Sequence, residues 1–271
     1  MAQPALKPEY CGAFSYAELG QPQTCQTALA EECALAISYN GLNQAVMMVS
    51  PHQLEDFVVG FSLGNGLIAT IDDIYDVRVS GAGERYSAEL TISSRAFWAL
   101  KQQRRGQAGT SSCGLCGVEA LEQALPSLAP LPPSPLPEPT QLADLRARIN
   151  AHQALGQRSG ALHAALFVDA QGQIAQCRED IGRHNALDKL IGALARERME
   201  LTGGFAVVTS RCSLELLHKA VRAGIATLVS LSAPTALTVQ WARRHHLNLI
   251  HLPHHSLPRV YSPAPEPESL P

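Results

Sequence analysis

The chain has 271 residues, 46% of them hydrophobic, with a formal net charge of −3 and seven cysteines. That length buries a full core for one or two domains, and the near-neutral balance gives nucleic acid no electrostatic footprint. There is no apolar run long enough to span a bilayer and no charged-then-apolar start of the secretory kind, and an odd set of scattered cysteines does not make a disulfide framework, so the expectation is a soluble, reduced, cytoplasmic protein with no membrane or nucleic-acid partner.

Residues 1–30 carry no periodic signal and are expected to form a partly ordered arm. From Cys33 the pattern becomes β: Leu35 to Tyr39 and Ala45 to Val49 flank Asn40-Gly41, a tight-turn pair. Ser50-Pro51-His52-Gln53 has the form of a helix start, with Ser50 as N-cap and Gln53 completing a capping box. Leu54, Phe57, Val58 and Phe61 follow at helical spacing and Gly64-Asn65-Gly66 ends the helix. Tyr75, Val77 and Val79, then Tyr86, Ala88, Leu90 and Ile92, alternate with polar neighbours, a second hairpin with Gly81-Ala82-Gly83 at its tip. Residues 31–105 are therefore expected to be a small α+β module.

Residues 106–139 hold Cys113-Gly114-Leu115-Cys116-Gly117 and then a stretch from Pro126 to Pro139 too rich in proline for a helix or interior strand, a spacer or surface insertion. From Thr140 helices and strands alternate. Thr140 is expected to cap a helix bearing Leu142, Leu145 and Ile149, and Ala161 to Val168 with Gln173 to Cys177 to form a hairpin. Helices follow near 185–198, 213–223 and 235–245, with strands at 205–209, 227–230 and 247–252. Short apolar strands between helices predict a three-layer α/β domain over 140–261 with parallel strand pairs, ahead of a disordered tail at 262–271.

The lone C-x-x-C admits several chemistries. Structural zinc normally needs a second ligand pair, and no further C-x-x-C or H-x-x-x-H is present. A thioredoxin-like dithiol should follow a strand, whereas the run from Lys101 to Ser112 is polar. A sulfur carrier needs an accessible thiolate, which the flanking glycines and a following helix start would favour. Two inert loop cysteines are the remaining reading. Cys33 and Cys177 fall in strand patterns as core residues, and Cys212 beside Arg211 at a helix start is the exception to watch. Zinc-deaminase chemistry is excluded, because His163-Ala164-Ala165 lacks the Glu of H-x-E and no Pro-Cys-x-x-Cys follows.

Glu179-Asp180-Ile181-Gly182-Arg183-His184-Asn185 crowds polar groups between a strand and a helix. Arg183 can fork onto a phosphate, His184 can donate or shuttle a proton, and Asn185 can cap the helix. The alternative is a well-capped loop with a surface ion pair. Thr209-Ser210-Arg211 and Ser232-Ala233-Pro234-Thr235 also stand between a strand and a helix. In an open α/β sheet that edge binds ligands, so the three loops suit an anion such as phosphate or pyrophosphate. Lys219 and Arg222 either extend this charge or form a solvated face.

Together, Cys113-Gly-Leu-Cys116-Gly, the run from Glu179 through Asp188 to Lys189, Thr209-Ser-Arg and Ser232-Ala-Pro-Thr235 resemble the formate dehydrogenase accessory sulfurtransferase (sulfur carrier protein) family, from about Glu31 to Tyr261. The resemblance implies a cytoplasmic homodimer whose larger domain has a cytidine-deaminase-like three-layer fold without the zinc site. It implies that sulfur is taken from a cysteine desulfurase and passed to the bis(molybdopterin guanine dinucleotide) molybdenum cofactor, which is then inserted into formate dehydrogenase. By this match Cys113 carries the persulfide and Cys116 resolves or relays it. Arg183, His184, Asn185, Thr209, Ser210, Arg211, Ser232, Ala233 and Pro234 would face the guanine dinucleotide arms. The family's C-terminal cofactor segment would fall on Leu252, Pro253, His254, His255, Ser256 and Leu257, which lack its glycines and place His254 where Arg is usual. Two rival readings are a cofactor-binding chaperone with incidental cysteines and a thiol oxidoreductase.

Overall fold

Three sheets carry the chain in the computed structural model, which describes residues 11–21, 23–108 and 125–265. The first is an antiparallel hairpin of β1 (Cys11–Ala17) and β2 (Thr24–Ala30). It replaces much of the expected arm. Its larger apolar residues Phe14, Tyr16 and Leu29 remain exposed, so the pairing rests on backbone hydrogen bonds and leaves no burial pattern to read.

The second sheet has the order β4-β3-β6-β5, from β3 (Cys33–Tyr39), β4 (Leu42–Val49), β5 (Ile74–Ala82) and β6 (Arg85–Ile92). Asn40 and Gly41, at φ 47° and 79°, make the expected two-residue turn between β3 and β4. Cys33, Leu35, Ile37 and Tyr39 alternate onto one face, where α1 (Leu54–Gly64) and α2 (Ser94–Ala108) cover them with Phe57, Val58, Ala96 and Leu100. The helix begins three residues later than expected, its cap at position 53 instead of 50. Gln53 stands at its N-cap with φ 53° and makes no side-chain cap bond, because Ser50 is engaged elsewhere in the protein.

The third sheet runs β12-β11-β10-β9-β7-β8. Its strands are β7 (His163–Val168), β8 (Ile174–Asp180), β9 (Phe205–Arg211), β10 (Thr227–Ser232), β11 (Asn248–His251) and β12 (Arg259–Ser262). The pairs β9–β10 and β10–β11 are parallel, while β7 is antiparallel to both β8 and β9. Hence β8, β9, β10 and β11 all end at the same edge. Ala165, Phe167, Ala206, Val208 and Leu228 face α6 (Arg183–Arg196), α7 (Leu214–Arg222) and α8 (Ala236–Arg244). Leu166, Val168, Val207 and Val229 face Leu142, Leu145 and Ile149 on the other side, so the sheet lies between two helical layers.

Those three residues do not share one helix capped by Thr140. They sit on α3 (Pro139–Leu142), which Glu138 precedes as N-cap, and α4 (Leu145–His152), broken at Asp144 with φ 50°. A further short helix, α5 (Ala154–Ser159), follows. The proline-rich run before them has no regular structure but is held in place. Leu131 donates to His245 O at 2.9 Å, and Asn248 Nδ2 donates to the carbonyls of Ser134 and Pro135.

The two larger sheets are joined by α1 crossing α6. A Cβ on Gly60 would lie 1.7 Å from Asp188 O, and one on Gly192 1.8 Å from Asp56 O, so each helix backbone fills the space a side chain would need. Arg178 reaches across the seam to Asp56, with its Nε 2.9 Å from Oδ2, and Arg196 binds the other oxygen. His52, 4% exposed, places Nε2 3.0 Å from Glu179 O. Burial, with Lys189 nearby, holds its imidazole down at about 2.

Two outcomes follow from this seam. Gly192→Ala should cost roughly 2–3 kcal/mol through backbone displacement, seen as a lowered urea midpoint; an unchanged midpoint would contradict the close crossing. His52 stays neutral in the folded chain while the unfolded chain protonates it below about 6.5. Its contribution is therefore complete above that pH and falls as pH drops, by up to about 1.4 kcal/mol per unit. Urea titrations at pH 7 and pH 5 should show a smaller acid loss in His52→Gln than in the parent.

Candidate functional site

The polar run after β8 divides between the seam and the open edge. Asp180 and Lys189 are both fully buried, with Nζ 2.7 Å from Oδ2. Lys189 also donates to Ser50 O at 3.1 Å and Glu179 O at 3.3 Å, matching its three N–H groups. Asp180 accepts from Lys189 and Ser50 N on one oxygen and from Gly182 N and Asn185 Nδ2 on the other. Burial lowers the Lys189 pKa while Asp180 opposes the shift. Asn185 donates in addition to Met48 O at 2.9 Å, so its amide is tied to the seam. Ser50 Oγ accepts from Ile181 N, which is why Ser50 does not cap α1.

Lys219 and Arg222 do not form a solvated face. Lys219 is 7% exposed and binds Asp188 at 2.8 and 2.9 Å, and Arg222 donates to Gly64 O at the end of α1. Burial raises the Asp188 carboxyl to about 6 against the pull of Lys219. These contacts were hidden because each partner lies far away in sequence.

Arg183 and His184 face the open edge, half-buried, at the first two positions of α6. No side chain caps this helix and no acid stands in its first turn, and the carboxylate before it, Asp180, is spent on Gly182 N, Asn185 and Lys189. His184 Nε2 lies 2.7 Å from Glu215 Oε2 on α7, and burial lowers its pKa although Glu215 pulls the other way. His163 at the start of β7 is also lowered, by burial and then by the charge of Arg183. Glu215 was missed in the sequence; its position two residues after Ser213, in the first helical turn, was the available signal.

The next two loops adjoin this end. Arg211 is exposed, while Thr209 Oγ1 bonds Ala164 N at 2.9 Å and buried Ser210 accepts at its carbonyl from Ser230 Oγ. Ser232 and Pro234 are half-buried and Ala233 is exposed. Among the described residues, neither the Arg183 nor the Arg211 guanidinium has a hydrogen-bond or carboxylate partner. Thr235 caps α8 by accepting from Thr238 N.

After β11, Leu252 is buried and Pro253 half-buried, whereas His254, His255, Ser256 and Leu257 are exposed. Arg146 on α4 grips this loop and its neighbour, donating to the carbonyls of Leu231, Leu252 and Pro253. Cys113 and Cys116 lie outside the described residues. Cys212, buried beside the edge, is ruled out as a ready nucleophile, since burial pushes its thiol up to about 12. Among the described residues no three His, Cys, Asp or Glu side chains gather as a metal site, and no helix is long and apolar enough to cross a membrane.

Fold and edge define a mixed α/β protein with an uncapped helix start and, among the described residues, two unpartnered guanidiniums at the C-terminal ends of its strands, an arrangement suited to an anion. The chain belongs to the FdhD/NarQ family, whose model matches residues 30–266. It is 41% identical over 221 residues to a Cupriavidus necator protein named sulfur carrier protein FdhD, covering 82% of this chain and 77% of that one. A protein of the same name from Xanthomonas euvesicatoria pv. vesicatoria is 44% identical over 231 residues, covering 85% and 82%. The crystal structure of a putative formate dehydrogenase accessory protein from Desulfotalea psychrophila shares the fold, with a TM-score of 0.71, 22% identity and coverage of 93% and 95%.

Removing one member of the buried pair should be far costlier than removing both charges. Lys189→Met leaves the Asp180 carboxylate dry and should destabilise by roughly 3–5 kcal/mol, while Asp180→Asn with Lys189→Met should recover part of that loss in urea melts.

Proposed function

We propose that this chain is a cytoplasmic sulfur carrier for formate dehydrogenase maturation, working as a homodimer. In this reading Cys113 thiolate attacks the terminal sulfur of a persulfide on a cysteine desulfurase. The donor S–S bond breaks, the desulfurase cysteine leaves as a thiolate, and a new S–S bond forms on Cys113, so no external oxidant is needed. Cys116 resolves or relays that sulfur. The cargo is the bis(molybdopterin guanine dinucleotide) molybdenum cofactor, which is sulfurated and then handed to formate dehydrogenase.

The observation that carries this reading is that Arg183, at the uncapped start of α6, and Arg211, at the end of β9, have guanidiniums without a hydrogen-bond or carboxylate partner among the described residues. A dinucleotide cargo brings pyrophosphate groups, and planar guanidiniums bind phosphate oxygens through two parallel N–H bonds. Family membership and the names of the relatives support the sulfur-carrier part. We read residues 31–105 as a supporting module and 140–261 as the cargo-holding unit, with the three-layer arrangement of cytidine deaminases and no zinc. His184, Ser232, Ala233, Pro234 and the 252–257 segment complete the cargo surface, and Asn185, Thr209 and Ser210 shape it from behind through their internal hydrogen bonds.

In a strain lacking this protein, Cys113→Ala should abolish formate dehydrogenase activity. Arg183→Ala and Arg211→Ala should each lower it by about tenfold or more, the scale of a lost charged hydrogen bond. Full activity with Cys113→Ala, together with loss in the arginine variants, would instead favour a cofactor-binding chaperone.

A further inference from the structure

Strand alternation sorts the β1–β2 hairpin into two unlike faces. Its register pairs Gly12 with Leu29, Phe14 with Thr27 and Tyr16 with Cys25, so Phe14, Tyr16, Cys25 and Leu29 share one side. The other side holds Ala13, Ser15, Ala17, Thr24, Gln26 and Ala28, all small or polar. Phe14, Tyr16 and Leu29 are exposed, and the principal neighbour of the hairpin elsewhere in the chain is the six-residue α5. A hairpin so little covered is at best marginally stable alone. It is also uniformly acidic: residues 11–32 contain Glu18, Glu31 and Glu32 and no Lys or Arg.

The second sheet offers the complement. Its Cys33, Leu35, Ile37 and Tyr39 face is covered by α1 and α2, while the opposite face is open. There Met48 pairs with Ala34 and Val46 with Ala36, and Val46 is 68% and Met48 50% exposed. Arg85 pairs with Ala34 on the far side, is exposed, and has no carboxylate partner among the described residues. Exposure of Phe14 and Leu29 on one patch and of Val46 and Met48 on the other means that neither covers the other within one chain. Two such patches on one surface are both satisfied by a two-fold pairing of copies. Charge selects the arrangement. Hairpin on hairpin would set glutamates against glutamates, whereas hairpin on sheet brings Glu31 and Glu32 toward Arg85.

We propose that the Phe14–Tyr16–Leu29 face of each hairpin docks on the Val46–Met48 face of a second copy of this chain, reciprocally, with Glu31 and Glu32 toward Arg85. The inference rests on the homodimer in the proposed function and names its contact surface. That surface borders the cargo edge, since Met48 O accepts from Asn185 Nδ2.

The test is sedimentation of the full chain, with urea melts to confirm that each variant is folded. Val46→Lys, and Glu31→Arg with Glu32→Arg, should each raise the dimer Kd by roughly tenfold or more. Adding Arg85→Glu to the glutamate pair should restore most of that loss, a rescue that misfolding does not produce. A benzophenone cross-linker in place of Tyr16, in an equal mixture of light and heavy-isotope chains, should give mixed-isotope adducts on the peptide carrying Val46. Unchanged Kd values, no rescue by Arg85→Glu, or adducts confined to single chains would overturn this interface and leave the homodimer standing. A monomeric parent would overturn the interface and the homodimer together. Sulfur uptake by the parent, read separately by mass spectrometry, tells either failure from failure of the carrier role.

Discussion

Asp180 and Lys189 are both removed from water, and a charge in that position is tolerable only when its partner and its remaining hydrogen-bonding capacity are all supplied. Here they are. The ammonium reaches a carboxylate and two carbonyls, while the carboxylate collects four donors from the turn after β8, α6 and the chain after β4. Because Ser50 contributes both its N–H and its carbonyl, the pair joins the two larger sheets as well as closing a loop. The end of β8 and the start of α6 are thereby set against a rigid neighbour.

That constraint explains how one short run serves two purposes. Asp180, Asn185, Asp188 and Lys189 point into the seam, where α1 and α6 approach through Gly60 and Gly192. Arg183 and His184, one helical turn away, remain at the edge with an uncapped helix start. The polar groups that hold the edge in place are therefore distinct from those available to a ligand. The backbone N–H groups at the start of α6, held by this neighbour, need no reordering when an anion arrives, which favours binding. Arg146 does similar work from the other face by fixing carbonyls near the end of β10 and just after β11.

Much of this was legible from local pattern. The Asn40-Gly41 turn, the strands and helices from His163 to His251, and the placing of three polar loops at one edge follow from alternation, helical spacing and turn chemistry. What escaped was set by distant contacts. Ser50 looks like a cap but is claimed by Asp180 and Ile181, and Thr140 heads no long helix because Asp144 breaks the run. Lys219 looks like a surface lysine until Asp188, thirty-one positions earlier, is placed beside it. The β1–β2 hairpin gave no signal because its apolar side chains are not buried. Of the candidate site, Arg183, His184 and Arg211 are legible by residue type and loop position. Glu215 is not, since its importance comes only from the histidine it meets.

The central claim is that the protein takes up sulfur on Cys113 while its α/β edge holds an anionic cargo. Incubation with a cysteine desulfurase and cysteine, followed by intact-protein and peptide mass spectrometry, tests the first half directly. The account predicts a gain of one sulfur atom on the Cys113 peptide, removed by mild reductant. No adduct at that peptide, with a desulfurase shown to be active, would contradict it.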